Sequence, residues 1–189
     1  HSVRTPFMDT PESSGKIIAL LEEGTRHGVD VGLYFHPLRW NGWKHEKDVH
    51  CLAPTGRRDA NKVYPLELKV VAHAKKTVRS WMEHLANYPA LRHVLLSSEY
   101  TTPFCVNEAA HAAASRVGID LQQNMQERIV LDRWGRAQIS HLPDSLLPQN
   151  GLIDDNNRLY RLLNWWWQGG NGISPLNAMM ADEIRSKRK

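Results

Sequence analysis

Residues 64–96, YPLELKVVAHAKKTVRSWMEHLANYPALRHVLL, contain the clearest structural signal in the chain. Apolar side chains recur along them at steps of three or four positions: Leu66, Val70, Ala74, Val78, Trp81 and Leu85. This spacing predicts one helix with a continuous apolar face. The helix is expected to begin at Pro65 and to end before Pro89. The nearly all-apolar run HVLLSS at 93–98 then predicts a parallel strand that is covered on both faces.

A second helix and strand precede this stretch. Residues 9–28, DTPESSGKIIALLEEGTRHG, predict a helix that Thr10 caps and Gly28 ends. Residues 29–37, VDVGLYFHP, predict a short strand. Alternation of helices and strands is typical of α/β proteins. We expect the two strands, joined by the long helix, to form a right-handed βαβ unit.

The segment between these units, from Pro37 to Val63, has no clear period and is rich in Trp, His, Gly and charge. A loop of this length in a compact domain is usually functional or disordered. Its two tryptophans argue against disorder, so we predict a functional loop. Downstream segments predict a loop and helix at 101–118, capped by Asn107, two short strands, a capped helix at 154–170 and a last helix from 173. Three consecutive tryptophans on a helix point about 100° apart, so at least one should lie in the core.

Composition sets the class of the protein. The chain has 189 residues, of which 41% are hydrophobic and 23% charged, so we expect one soluble globular domain over residues 1–189. No apolar run is long enough to predict a membrane span. No signal peptide is visible, although the chain begins at His1 rather than Met. Cys51 and Cys105 suggest neither a disulfide framework nor a zinc pattern, which leaves the compartment open.

The net charge of +4 raises the question of nucleic acid as a partner. The most basic run, IRSKRK at 184–189, ends a predicted helix, where cations favour the helix dipole. We therefore expect no nucleic-acid partner. A basic nucleic-acid-binding module stays the weaker alternative, and it predicts salt-sensitive binding to DNA.

Two polar residues follow the predicted strands at the point where each strand ends. In α/β folds the working groups lie beyond the carboxyl ends of the strands. Glu99 stands at such a position after the second strand, and His36 stands at the equivalent position after the first. The alternative for Glu99 is a solvent-facing acid or one paired with Arg or His. The alternative for His36 is a hydrogen-bonded structural residue.

A resemblance to a known family rests on the same residues. The segment from Tyr64 to Ala114, with its strand-to-glutamate run LLSSEY, resembles the fourth βα unit of the clan-A glycoside hydrolases, most closely the family-42 β-galactosidase type. The segment LYRLLNWWWQGGNGISPLNAMMADEIRSK at 159–187 resembles the aromatic helix that precedes their next strand. A complete (β/α)₈ barrel needs about 250 residues. The resemblance therefore implies a partial TIM-type barrel containing about strands 3 and 4, flanking helices and a long βα loop.

The resemblance also implies a reaction. Glu99 would be the general acid/base of a retaining glycosidase acting on oligo- or polysaccharides, with a second carboxylate roughly 5 Å away as nucleophile. That nucleophile would lie outside this chain, with the remainder of the barrel, so the isolated chain is expected to be inactive. The family usually has Asn before the glutamate, where this chain has Ser98. This departure leaves open a non-catalytic carbohydrate-binding or scaffold barrel.

Candidate substrate contacts surround the two strand ends. Trp40 and Trp43 could stack on a sugar ring, or they could instead anchor the long loop. The complete candidate set is His36, Arg39, Trp40, Asn41, Trp43, Ser98 and Tyr100.

Other polar residues receive structural interpretations. Glu108 follows the predicted cap Asn107, where negative charge is favoured for structural reasons. His45, Asp48, His50 and Cys51 lie close in sequence, but their spacing matches no strong zinc signature. We expect no metal and no cofactor.

Overall fold

The computed structural model describes residues 2–4, 11–35, 38, 41–54, 56–96, 104–122, 130–131, 137–138 and 150–188. The strands are β1 (Ser2–Arg4), β2 (Val31–Phe35), β3 (His50–Leu52), β4 (Arg58–Val63), β5 (Leu91–Leu96), β6 (Val130–Leu131) and β7 (Ala137–Gln138). The α-helices are α1 (Pro11–His27), α2 (Leu68–Leu85), α3 (Glu108–Ser115), α4 (Arg158–Trp165) and α5 (Ile173–Lys187). The protein is thus mixed α/β, and the strands described form small open sheets and no closed barrel.

The chain divides into two compact units. Unit 1 comprises His1–Trp43, Lys69–Tyr100 and Leu176–Lys189, and unit 2 comprises Lys44–Leu68 and Thr101–Pro175. The interpretation of residues 1–189 as one domain stays a prediction.

The sheet of unit 1 contains three parallel strands in the order β1, β2, β5, which is also their order along the chain. The prediction that β2 and β5 are parallel neighbours is confirmed. The prediction that the second strand is covered on both faces is wrong, since Leu91 is the only residue of β5 that is buried and Leu95 is 50% exposed. The strand β1 was not predicted, because three residues are too few to show a period. Helix α1 lies between β1 and β2 in sequence, and α2 lies between β2 and β5.

Helix α1 approaches this sheet closely at one glycine. Gly24 is buried, and a Cβ atom placed there would lie 2.8 Å from Cγ2 of Val31 and 3.1 Å from Cβ of Ala90. Ile17 and Leu21, which lie on the predicted apolar face, are buried. Gly28 ends the helix with a φ of 64°, as its position predicted.

Helix α2 confirms the apolar stripe that the spacing predicted, with one difference at its start. The helix begins at Leu68, so Pro65 and Leu66 precede it. Its buried residues are Val70, Ala74, Val78, Trp81, Met82 and Leu85. The ring of Trp81 meets that of Phe35 edge to face at 6.4 Å between centroids, which fixes α2 on the face of β2.

Charged side chains join α5 to α2 within unit 1. Arg79 donates from Nε and Nη2 to the two carboxylate oxygens of Glu183, at 3.1 and 3.2 Å. Lys75 Nζ lies 3.0 Å from the same carboxylate, and Lys187 donates to Glu83 at 3.2 Å. The last helix was predicted from its sequence, whereas its ion pairs were not.

In unit 2, part of the segment predicted as a loop is an antiparallel hairpin of β3 and β4. The prediction was wrong here because β4, RDANKV, is polar and mostly exposed, so it shows no apolar alternation. The two cysteines also differ from expectation, because Cys51 in β3 is bonded to Cys105. A disulfide that closes a loop across 54 positions restricts the unfolded chain, and in the chain-entropy account this stabilises the folded state by about 4 kcal/mol.

The core of unit 2 gathers aromatic residues from distant parts of the sequence. Phe104 packs on Trp166 with ring centroids 4.6 Å apart, and the hydroxyl of buried Tyr64 donates to the carbonyl of Gly170 at 2.9 Å. Of the three consecutive tryptophans, Trp166 is buried, Trp165 is half-buried and Trp167 is 74% exposed. The prediction that at least one lies in the core is confirmed.

Helix α4 is capped by the side chain of Asn157, which accepts hydrogen bonds from the backbone N–H groups of Leu159 and Tyr160 at 3.1 Å. It continues into a π-helical turn, Trp166–Gly170. The short strands β6 and β7 pair antiparallel, within the two segments that the sequence predicted as strands. None of the helices that the structure describes is both long and apolar enough to cross a membrane.

Candidate functional site

The carboxyl ends of β2 and β5 form the edge at which the sequence placed the candidate site. The register pairs Leu33 with Val94 and Phe35 with Leu96, so the last residues of the two strands are level. Because parallel strands run the same way, the chain leaves both of them at one edge of the sheet. The predicted positions His36, Ser98, Glu99 and Tyr100 follow these ends and lie outside the described residues.

The start of the loop after β2 packs into unit 1. Trp43 is 5% exposed, and its ring meets that of His73 in α2 edge to face at 5.0 Å. This packing corresponds to the anchoring alternative for Trp43, and contact with a sugar stays a prediction. Arg39 and Trp40 lie outside the described residues, as does the side chain of Asn41, whose backbone begins a 3₁₀ helix.

Unit 2 contains a buried polar arrangement around Asn107, which is 3% exposed. Its Oδ1 accepts from the N–H of Leu52 at 2.8 Å, and its Nδ2 donates to the carbonyl of His50 at 3.0 Å. The N–H of Val106 donates to the carbonyl of Leu52 at 2.7 Å. The side-chain amide of Asn107 therefore hydrogen-bonds to the backbone of β3 in the way that a peptide group of a neighbouring strand would.

This role corrects the one predicted for Asn107. The residue occupies the N-cap position of α3 with extended backbone angles, but its side chain makes no capping hydrogen bond. Its amide satisfies backbone groups of β3 instead, and leaving those groups unsatisfied in the interior is costly. Glu108, which follows it, is exposed in the first turn of α3, where negative charge favours the helix dipole.

Beside Asn107 lies the partly buried carboxyl of Glu67, which is not among the residues predicted for the site. Burial raises the pKa of Glu67 above its ordinary range, and the nearby charges of Asp48 and Glu108 raise it further. A hydrogen bond from Asn107 and the charge of Arg58 act in the opposite direction. The carboxyl of Glu67 thus keeps its proton to a higher pH than a surface glutamate does. In the sequence it resembles an ordinary acid at a helix start, and no local pattern distinguishes it.

The histidines and acids beside Cys51 do not form a metal site in the part of the chain that the structure describes. Cys51 supplies no thiolate, because its sulfur is bonded to Cys105. No group of three or more His, Cys, Asp or Glu side chains suited to a metal ion occurs among the described residues.

Comparisons with known proteins add no assignment. No family model matches the chain, and no curated protein matches it. The similarity to clan-A glycoside hydrolases therefore remains a resemblance carried by the motifs quoted above.

Proposed function

We propose that the chain is part of a (β/α)₈-barrel retaining glycoside hydrolase that acts on oligo- or polysaccharides. The observation that supports this most is that β2 and β5 end at residues that pair with each other in the sheet, Phe35 and Leu96. Glu99 follows Leu96 by three positions, and His36 follows Phe35 directly. In barrels of this class the catalytic groups come from the carboxyl ends of several strands.

The strand order also supports the barrel. Three parallel strands follow one another in chain order, and a helix precedes each new strand. This is the arrangement of a (β/α)₈ barrel, in which each strand joins the edge of the previous one. One half of a doubly wound sheet has the same sequential order, so the three strands are consistent with the barrel but do not distinguish it from that fold.

The proposed reaction assigns two tasks to Glu99. As a general acid it would protonate the leaving glycosidic oxygen, and as a base it would then activate the water that releases the sugar. The nucleophilic carboxylate, about 5–5.5 Å away, would come from a strand outside this chain. Because the indole of Trp43 is buried, we assign the stacking platform to Trp40. Sugar hydroxyls would be bound by His36, Arg39, Asn41, Ser98 and Tyr100.

The proposal is tested on the full-length protein that contains this chain, with Glu99→Gln compared with Glu108→Gln. Aryl glycosides with poor and good leaving groups are the substrates, since only a poor leaving group needs protonation. Loss of the acid should lower kcat/KM, which reports formation of the glycosyl-enzyme, by roughly 10²–10⁴-fold for the poor substrate and far less for the good one. Glu108→Gln should hydrolyse both at the parent rate. An unchanged rate in Glu99→Gln, or an equal loss in both variants, contradicts the assignment.

The departure at Ser98 favours one alternative, a carbohydrate-binding barrel without catalysis. It predicts that the parent protein binds an oligosaccharide but hydrolyses no aryl glycoside, and that Glu99→Gln leaves the affinity unchanged. Calorimetric titration of oligosaccharides alongside the rate measurements separates the two functions.

A further inference from the structure

The disulfide of unit 2 lies in the interior rather than on the surface. Cys51 in β3 is 1% exposed, and Cys105, just ahead of α3, is 0% exposed. The neighbours of Cys105 in sequence, Phe104 and Val106, are 1% and 8% exposed. Both sulfurs are therefore out of reach of solvent reagents in the folded chain.

The bond joins two segments that also pair through their backbones and side chains. Val106 donates to Leu52, and Leu52 donates to Asn107, directly beside the two cysteines. The same core cluster contains Tyr64 from the segment after β4 and Trp166 from the turn after α4. The disulfide thus lies where the hairpin, the start of α3 and the aromatic core of unit 2 meet.

We propose that the Cys51–Cys105 disulfide is a structural bond that forms during folding and on which the stability of unit 2 depends, and that the protein therefore folds in an oxidising compartment. Structural disulfides persist in such compartments, whereas cytosolic thiol systems keep cysteines reduced. The sequence alone left the compartment open, and this pairing favours an oxidising one. The proposal does not depend on glycosidase activity.

The chemistry requires a partner disulfide, supplied by a thiol–disulfide oxidoreductase in the cell or by glutathione disulfide in a test tube. The thiolate of one cysteine attacks the partner disulfide, which forms a mixed disulfide and releases one partner thiolate. The thiolate of the other cysteine then displaces the second partner thiolate. The two cysteines lose two electrons and two protons, and the partner disulfide becomes two thiols.

Burial sets the order of events. Exchange needs a thiolate to approach a sulfur directly, which the closed core around Cys51 and Cys105 prevents. The bond must form before the core closes, and afterwards it resists reductants. It is therefore a structural bond and not a reversible redox switch, since switch cysteines are accessible.

The test uses the full chain, refolded from denaturant either with a glutathione redox buffer or with a phosphine reductant. Alkylation and mass spectrometry then count free thiols, and circular dichroism follows thermal unfolding. We expect no alkylation in the oxidised sample and two alkyl groups in the reduced one. The reduced sample should melt roughly 10 °C lower or should not fold. Two free thiols after oxidative refolding, or equal melting temperatures in both samples, overturn the proposal.

Two variants serve as controls. Asn107→Ala removes hydrogen bonds at the same place but keeps both sulfurs, so reductant should lower its melting temperature as much as that of the parent chain. The double variant Cys51→Ala/Cys105→Ala should have a lower melting temperature than the oxidised parent chain, and reductant should not change that temperature. If its melting temperature instead equals that of the oxidised parent chain, the bond does not stabilise unit 2 and the proposal is overturned. Failure of this variant to fold has the same meaning as failure of the reduced parent chain, namely support.

The compartment itself is tested by producing the chain with and without a bacterial export signal. We expect the disulfide in soluble exported protein, and reduced, poorly soluble chain in the cytosol. Soluble, folded cytosolic protein with both thiols free contradicts the proposal.

Discussion

Phe35, the last residue of β2, is the register partner of Leu96, the last residue of β5, in adjacent parallel strands. This pair sets the edge at which the chain leaves the two strands, and the candidate residues His36 and Glu99 follow these strands in the sequence. The packing of α2 on β2 through Trp81 and Phe35 fixes the same edge from one face. Substitutions in each of the two units test its packing.

The close approach of α1 to the sheet predicts opposite effects at two glycines of one helix. Gly24→Ala places a Cβ atom 2.8 Å from Val31 and 2.9 Å from the carbonyl of Val29, and it should destabilise the chain by about 1–3 kcal/mol. Gly15→Ala meets no atom within 4 Å, so it should stabilise the chain by about 0.5–1 kcal/mol through helix propensity. Urea unfolding of both variants measures the difference, and equal effects contradict the packing.

The hydroxyl of Tyr64 holds the turn after α4. Burial raises the pKa of Tyr64, so its hydroxyl remains a donor to Gly170 across the working pH range. Tyr64→Phe leaves that carbonyl without this donor, and it should cost about 1–3 kcal/mol in the free energy of unfolding. Tyr160→Phe, at a half-buried tyrosine of the same unit, is the control and should cost less. A Tyr64→Phe variant as stable as the parent shows that water replaces the bond.

In unit 1, the attachment of α5 should weaken in acid. Hydrogen bonds from Lys75 and then Arg79 lower the pKa of Glu183 below its ordinary value. A depressed carboxyl pKa stabilises the fold above the unfolded-state pKa, and this stability is lost as pH falls through the folded-state value. The protection factors of the amides in α5, which correct for the intrinsic slowing of exchange in acid, should therefore fall on acidification more in the parent chain than in Glu183→Gln. Identical pH dependence in both would show that the cluster contributes nothing.

In unit 2, Glu67 should make the fold less stable as pH rises, which is opposite to the pH dependence expected from Glu183. Its raised pKa means that the folded state binds more protons than the unfolded state between the two pKa values. Its contribution is therefore most favourable below the unfolded pKa and declines as pH rises through the folded one. Glu67→Gln should be more stable than the parent chain at neutral pH, with the advantage disappearing in acid. Melting temperatures across this range measure the effect, and a variant less stable at neutral pH contradicts it.

The sequence predicted those elements whose apolar residues repeat. The stripe from Val70 to Leu85 identified α2, because a helix with one buried face leaves a period in the sequence. The apolar runs identified β2, which is buried, and β5, although only Leu91 of β5 is fully buried. The hairpin was missed because β4 is largely exposed and therefore shows no such period. The strand β1 was missed because it is short and is held in place by β2.

Contacts between distant residues could not be read from the sequence. Cys51 and Cys105 are 54 positions apart, and only the fold brings their sulfurs together. Asn107 resembles a helix cap, since its type and position fit one, yet its amide bonds to β3. The raised pKa of Glu67 likewise depends on burial and on Asn107. The edge of the candidate site was predictable because strand direction follows from the connecting helix, whereas the surroundings of a side chain do not.

The most direct test of the central claim is chemical rescue of Glu99→Ala in the full-length protein. With an aryl glycoside whose leaving group needs no proton, the variant should still form the glycosyl-enzyme, and its breakdown should be slow because no base activates water. Added azide needs no base, so we predict a large increase in rate and a glycosyl azide product of retained configuration. If azide changes neither rate nor product in Glu99→Ala, while the parent protein hydrolyses the substrate, Glu99 is not the acid/base.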